Sequence, residues 1–103
     1  MNTIYHQLPS GDLASRKLAI AQRKLIESDI ASRGCVVMLD LSNVESISES
    51  YADELFGVLV LKNGLDHVLQ QLKLINSNPY VLKSVASVMK RRSHERNTTC
   101  IAC

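Results

Sequence analysis

CVVMLDLSNVESISESYADELFGVLVLKN, residues 35–63, switches from a continuous apolar run to a helical repeat, and that switch sets the fold class. Over residues 35–41 apolar side chains follow one another with little alternation, and Val36 and Val37 are β-branched. Such a run predicts a central strand buried on both faces, as in a parallel sheet. Asp40 is its one charged residue. Residues 42–50 follow as a polar loop with two isolated apolar anchors, Val44 and Ile47. Beyond it Ala52, Leu55, Phe56, Leu59 and Val60 recur at helical spacing, so a helix is expected from Ser50. Ser50 and Asp53 have the spacing of a capping box, and Asn63-Gly64 supplies the stop.

The flanks repeat the alternation. Residues 3–8 read as a short edge strand, broken by Pro9, Ser10 and Gly11. A helix is expected over residues 13–31, with Ala14, Leu18, Ala21 and Leu25 as its apolar stripe and Ile26 and Ile30 widening it. Ser10 or Asp12 would cap that helix and Gly34 would end it. Downstream, residues 71–76 alternate as a strand with Leu72 and Leu74 on one face. Asn78-Pro79 then opens a third helix carrying Val81, Leu82, Val85, Val88 and Met89. The prediction is an α/β domain over residues 1–96, a sheet of three to four strands alternating with three main helices, followed by a flexible tail over residues 97–103. So small a sheet needs its N-terminal strand, or a second copy of the chain, to complete it.

The chain of 103 residues is long enough for one domain, and its 46% apolar content excludes a chain disordered throughout. No apolar run is long enough to span a membrane, and the N-terminus lacks a signal-peptide pattern, so a cytoplasmic location is expected. Three Cys, an odd number, argue against a disulfide framework and for a reducing compartment. The net charge of +2 hides segregation: residues 40–54 hold five acidic side chains and no basic one, and residues 83–103 hold five basic and one acidic. That distribution is the first pointer to function.

Ligands of open α/β sheets meet the carboxyl ends of the strands. Here that edge carries Asp40, the residues from Glu45 to Glu54, and Asn76 to Asn78. Asp40 reads first as an acceptor for the following turn, and only second as a base or cation ligand. Asp53 and Glu54 are neighbours on a helix and point about 100° apart, which suits the helix dipole or a docking surface better than paired acid–base work. A Ser–His–Asp set can be written from Ser50, His67 or His94, and Asp53, yet no nucleophile elbow and no glycine-rich phosphate loop accompany it. Cys100 and Cys103 have C-x-x-C spacing without a second pair, so neither a metal nor another cofactor is expected. Lys90, Arg91, Arg92 and Arg96 form a basic run without interleaved aromatics, which gives salt-sensitive, non-specific nucleic-acid affinity at most.

The span LDLSNVESISESYADELFG, residues 39–57, resembles the core motif of the STAS-like domain family DUF4325. Ser15-Arg16 is similar to the family's Ser-Arg helix signature, and LKLINSNPYV, residues 72–81, resembles its strand ending in Asn with a second Asn before the next helix. The resemblance covers residues 10–92 and implies a fold similar to anti-sigma factor antagonists. It also implies a regulatory partner of histidine-kinase-like ATPases or sensor proteins, not a catalyst. Aligned with the antagonist motif, Ser50 falls on the phosphorylatable serine and Ser48 on the Asp before it. The antagonist pattern continues with Gly where this chain has Tyr51.

Ser50 is thus expected to cap its helix first and to accept a phosphate second. A phosphate there gains from the helix dipole and is opposed by Glu49, Asp53 and Glu54 unless a basic group covers it. The expected activity is non-enzymatic protein binding, with Asp40, Glu45, Glu49, Tyr51, Asp53, Glu54, Asn76 and Asn78 as the docking set. Two alternatives from other classes are a nucleic-acid-associated regulator using the basic C-terminal helix and a small hydrolase or phosphotransfer enzyme around Ser50.

Overall fold

A computed structural model describes residues 3–33 and 36–102. Gly34 and Cys35, expected to end the first helix and open the central strand, lie outside the described residues, as does Cys103. Strand β3 (Val36–Asp40) forms where the apolar run predicts it, at the centre of a parallel sheet. β1 (Thr3–Gln7) pairs on one side and β5 (Leu72–Ile75) on the other. The order β1-β3-β5 advances one way across the sheet, so right-handed crossovers put their helices on one face. Val37 and Leu39 on that face are fully buried, whereas Val36 and Met38 are half-buried. The central strand is therefore fully covered on one side and partly covered on the other, where two buried faces are expected.

A second, two-stranded parallel sheet joins β2 (Gly11–Leu13) to β4 (Val44–Ile47), where the sequence suggests breakers and a polar loop. Its strands are short and rich in Asp, Glu, Gly and Ser, so period and propensity both understate them. Val44 is the buried anchor, and the Ser46 hydroxyl donates to the Asp12 carboxylate at 2.6 Å. Because residues 11–13 are in this sheet, α1 (Arg16–Arg33) starts late, and Ser15 rather than Ser10 or Asp12 accepts the Leu18 amide at its first turn, at 3.3 Å.

The helix is also rotated from its expected stripe. Ala19, Arg23 and Ile26 face inward, whereas Leu18 and Leu25 are more than half exposed. The central helical rod consists of α2 (Glu49–Ala52), a π-helical stretch over Asp53–Gly57, and α3 (Val58–Asn63). Tyr51, Ala52, Leu55, Phe56, Leu59 and Val60 are all buried, so the rod runs through the core between α1 on one flank and a last helix on the other.

Gly64, at φ +89°, turns the chain into α4 (Leu65–Gln71), which takes Gln71 out of the expected strand. Asn78 then caps α5 (Pro79–Ala102), its side-chain oxygen accepting the Val81 amide at 2.8 Å, as Asn-Pro spacing predicts. Val81, Val85, Val88 and Met89 pack inward, but Leu82 faces out. No Gly or Pro follows Pro79 to break the helix, and its backbone continues to Ala102, past residue 97 where a tail is expected.

Candidate functional site

The acidic segment and the first turn of the central rod lie together, but not as an open acidic edge. Ser48, not Ser50, is the N-cap: its Oγ accepts the Tyr51 amide at 3.0 Å, and its own amide donates to the Leu13 carbonyl at 2.8 Å. The expected Ser50–Asp53 box is displaced by two residues, because the β2–β4 pairing fixes where the strand lets go. Ser50 is left half-buried in the first turn, with its hydroxyl free of capping duty. Arg16 at the start of α1 donates to Ser50 Oγ from Nη2 at 3.4 Å.

Adjacent Asp53 and Glu54 diverge to opposite flanks of the rod. Asp53 takes a two-pronged grip from Arg92 of α5, with Nε to Oδ1 at 2.7 Å and Nη2 to Oδ2 at 2.6 Å. The Arg92 hydrogen bond, with the charges of Arg92, Arg91 and Arg16, holds the Asp53 carboxyl below its usual range despite partial burial. Glu54 turns to α1, where the buried Arg23 donates to its carboxylate at 3.1 Å and to its backbone carbonyl at 2.9 Å. Arg16 also lies 3.8 Å from Glu54, and Arg91 donates to Glu49 at 2.7 Å. The charge blocks separated in sequence therefore meet in space. Sequence reasoning missed Arg23, although its place in line with Ala19 and Ile26 puts a charge on the buried face and calls for an acidic partner.

Gly57 makes the approach of α5 possible. A Cβ there would collide with Asp53 Oδ1 and come within 2.9 Å of Val88 Cγ1 and 3.0 Å of Arg92 Cγ. The chain has no larger choice at this crossing.

Several expected docking residues are internal. Asp40 is 5% exposed and serves the turn after β3: Tyr5 donates its O–H to Oδ2, and the Ser42 amide donates to Oδ1 at 2.8 Å. Asn76, at φ +59°, adds a 3.4 Å bond from its side chain. The Tyr5 bond, the Ser42 bonds and the weaker Asn76 bond pull the Asp40 carboxyl down to about 2, while Tyr5 itself is raised above its usual phenol value. Tyr51 is fully buried, and its hydroxyl has no hydrogen-bond partner among the described residues; burial raises its pKa. Asn78 ties α5 to β4 by donating to the Val44 and Glu45 carbonyls at 3.2 and 3.1 Å. Asp40, Tyr51 and Asn78 are thus framework, and Glu45, Glu49, Ser50 and the exposed Asn76 remain on the surface with the rims of Asp53 and Glu54.

Around this corner the surface is shallow, a groove of about 280 Å³ lined by Glu49, Lys83, Ser84, Ser87, Val88 and Arg91. The basic run is largely committed: beyond Arg91 and Arg92, Arg96 donates to the Leu61 and Lys62 carbonyls at the end of α3, at 2.9 and 3.1 Å. No helix among the described residues is long and apolar enough to cross a membrane, and no group of three His, Cys, Asp or Glu among them is placed to hold a metal.

No curated protein and no solved structure matches the chain. A STAS-like domain of unknown function, DUF4325, matches residues 23–82, which run from the buried Arg23 through the whole central rod to the first turn of α5. That match spans more than half of the 103 residues and includes the acidic segment, the rod and β5. The chain belongs to the STAS-like domain family of unknown function, DUF4325.

Proposed function

We propose that this STAS-like domain is a non-catalytic regulatory module that binds a protein partner through Glu45, Glu49 and the first turn of the central rod, with phosphorylation of Ser50 as its switch. The partner class is a histidine-kinase-like ATPase or a sensor protein, as the resemblance to anti-sigma factor antagonists suggests.

The observation that carries the proposal is Arg16 Nη2 at 3.4 Å from a half-buried Ser50 Oγ that caps nothing. A phosphate brings a charge of about −1.5 to −2 and forms its strongest bonds with guanidinium groups. Arg16 is 61% exposed and only loosely paired with Glu54, so it can turn to the phosphate at little cost. Repulsion from Glu49, Asp53 and Glu54 is blunted because each already holds an arginine. Phosphorylation would then recharge the exposed corner without unfolding the rod.

The test is intact mass and peptide mapping after incubation with Mg-ATP and candidate histidine-kinase-like ATPases. One phosphate on Ser50 in the wild type, absent in Ser50→Ala and retained in Ser48→Ala, is expected. Phosphate on Ser48 alone, or on neither serine with any such kinase, contradicts the switch.

A further inference from the structure

Helix α1 carries two apolar stripes on opposite sides. Ala19, Ile26 and the half-buried Ile30 pack on the core, with Arg23 in line between them. The other stripe, Leu18, Ala21, Leu25 and Ser28, is exposed over its whole length, Leu18 at 57% and Leu25 at 55%. One exposed leucine is ordinary, but two on a single helix face, one heptad apart with a small residue between them, form a continuous ridge. The spacing is that of a coiled-coil seam, with Leu18 and Leu25 at a positions and Ala21 and Ser28 at d. The flanks of the seam differ in charge. Lys17 and Lys24 stand at g and are exposed, and Gln22 and Asp29 stand at e and are half-buried. Asp29 binds His6 through Oδ2 and keeps 31% of its side chain exposed.

We infer that α1 pairs in parallel with α1 of a second copy of this chain, forming a two-fold dimer along the seam from Leu18 to Ser28. The charge pattern selects the occupant, because this face is complementary to itself. In a parallel pair each g residue faces the e residue of the partner's next heptad. Lys24 then meets the partner's Asp29, Lys17 meets the partner's Gln22, and the two-fold axis repeats both contacts. An antiparallel pair would set g against g, lysine against lysine. Across the seam Leu18 and Leu25 meet their own copies, and the small side chains of Ala21 and Ser28 let the helices come close. The contact spans about 20 Å of helix from Lys17 to Asp29, well short of a standard interface of about 800 Å² per partner, so the dimer is weak and concentration-dependent.

Sedimentation equilibrium of the full chain tests the pairing. A monomer–dimer equilibrium with a Kd between roughly 10 μM and 1 mM is expected for a contact of this size. Replacing Leu18 and Leu25 together by Gln should abolish it, and because both positions are exposed the variant should still melt cooperatively. Lys24→Glu is the second variant, since it leaves the ridge intact and changes only the flank. It should weaken the dimer about fivefold, because two attractive contacts become repulsive at once. A chain still monomeric at about 1 mM would leave the stripe to a different protein and overturn the inference. So would association that survives the double Gln substitution, or a dimer that is unchanged or tightened by Lys24→Glu, the latter being the sign of lysines held together in an antiparallel pair.

Discussion

Asp53 and Arg92 face each other through two hydrogen bonds of 2.7 and 2.6 Å, joining the acidic rod to the basic last helix. Parallel bonds of this kind between ionised groups are the strong class, and both side chains are mostly shielded, at 17% and 26% exposure. The joint replaces an open acidic surface with an internal clamp. Arg92→Met and Asp53→Asn should each cost about 1–3 kcal/mol, by the usual value of charge-assisted hydrogen bonds. A double-mutant cycle by urea denaturation should show the two losses to be far from additive.

Two carboxyls make the fold sensitive to acid in a defined direction. Asp40 is held at about 2 by Tyr5 and Ser42, and Asp53 is lowered by Arg92. Both lie below the unfolded aspartate value of about 3.9, so the unfolded chain takes up protons first as the pH falls. Their contribution to stability is full above that value and is lost as the pH drops through the folded values. Tyr5→Phe removes the leading cause at Asp40. Its carboxyl, followed by carbon NMR, should titrate near 2 in the wild type and clearly higher in the variant, and acid unfolding should move to higher pH. An unchanged titration would show that the Tyr5 bond does not hold the proton off.

Gly57 has helical backbone angles, φ −62° and ψ −44°, where alanine normally stabilises by about 0.5–1 kcal/mol. The clash with Asp53, Val88 and Arg92 reverses that sign. Gly57→Ala should destabilise by about 1–3 kcal/mol, the usual cost of overpacking. Thermal melting decides the sign, and a stabilised variant would mean that α5 can shift away freely.

The two serines at the start of the rod separate capping from switching. Ser48→Ala removes the cap and should cost about 1 kcal/mol. Ser50→Ala loses only a long contact with an exposed arginine and should stay within about 0.5 kcal/mol of wild type. Equal losses in denaturant melts would mean that Ser50 is structural after all.

Much of the framework was legible because it rests on local rules. The β3 run, the rod stripe from Ala52 to Val60, the Asn63-Gly64 stop and the Asn78-Pro79 start each follow from period or capping chemistry over a few residues. The small β2–β4 sheet was not, because its strands are stabilised by pairing across more than thirty residues rather than by their own composition. That pairing also moved the helix caps to Ser15 and Ser48. The acidic segment was visible as charge, but its partners were not, since nothing local says that Asp53 meets Arg92 and Glu54 meets Arg23. The outward Leu18 and Leu25 show the same limit from the other side: apolar spacing marks a stripe, and only the fold decides which of two stripes is buried.

The switch at Ser50 is tested most directly by the affinity of one purified partner for two forms of the chain, with serine or with phosphoserine installed at position 50. The partner is the protein retained by the wild-type chain and lost with Glu49→Lys, and Kd is read by calorimetry. A change of about tenfold or more between the two forms, roughly 1.4 kcal/mol, is predicted, shrinking when Arg16 is replaced by Met. Equal Kd values for the serine and phosphoserine forms would contradict it.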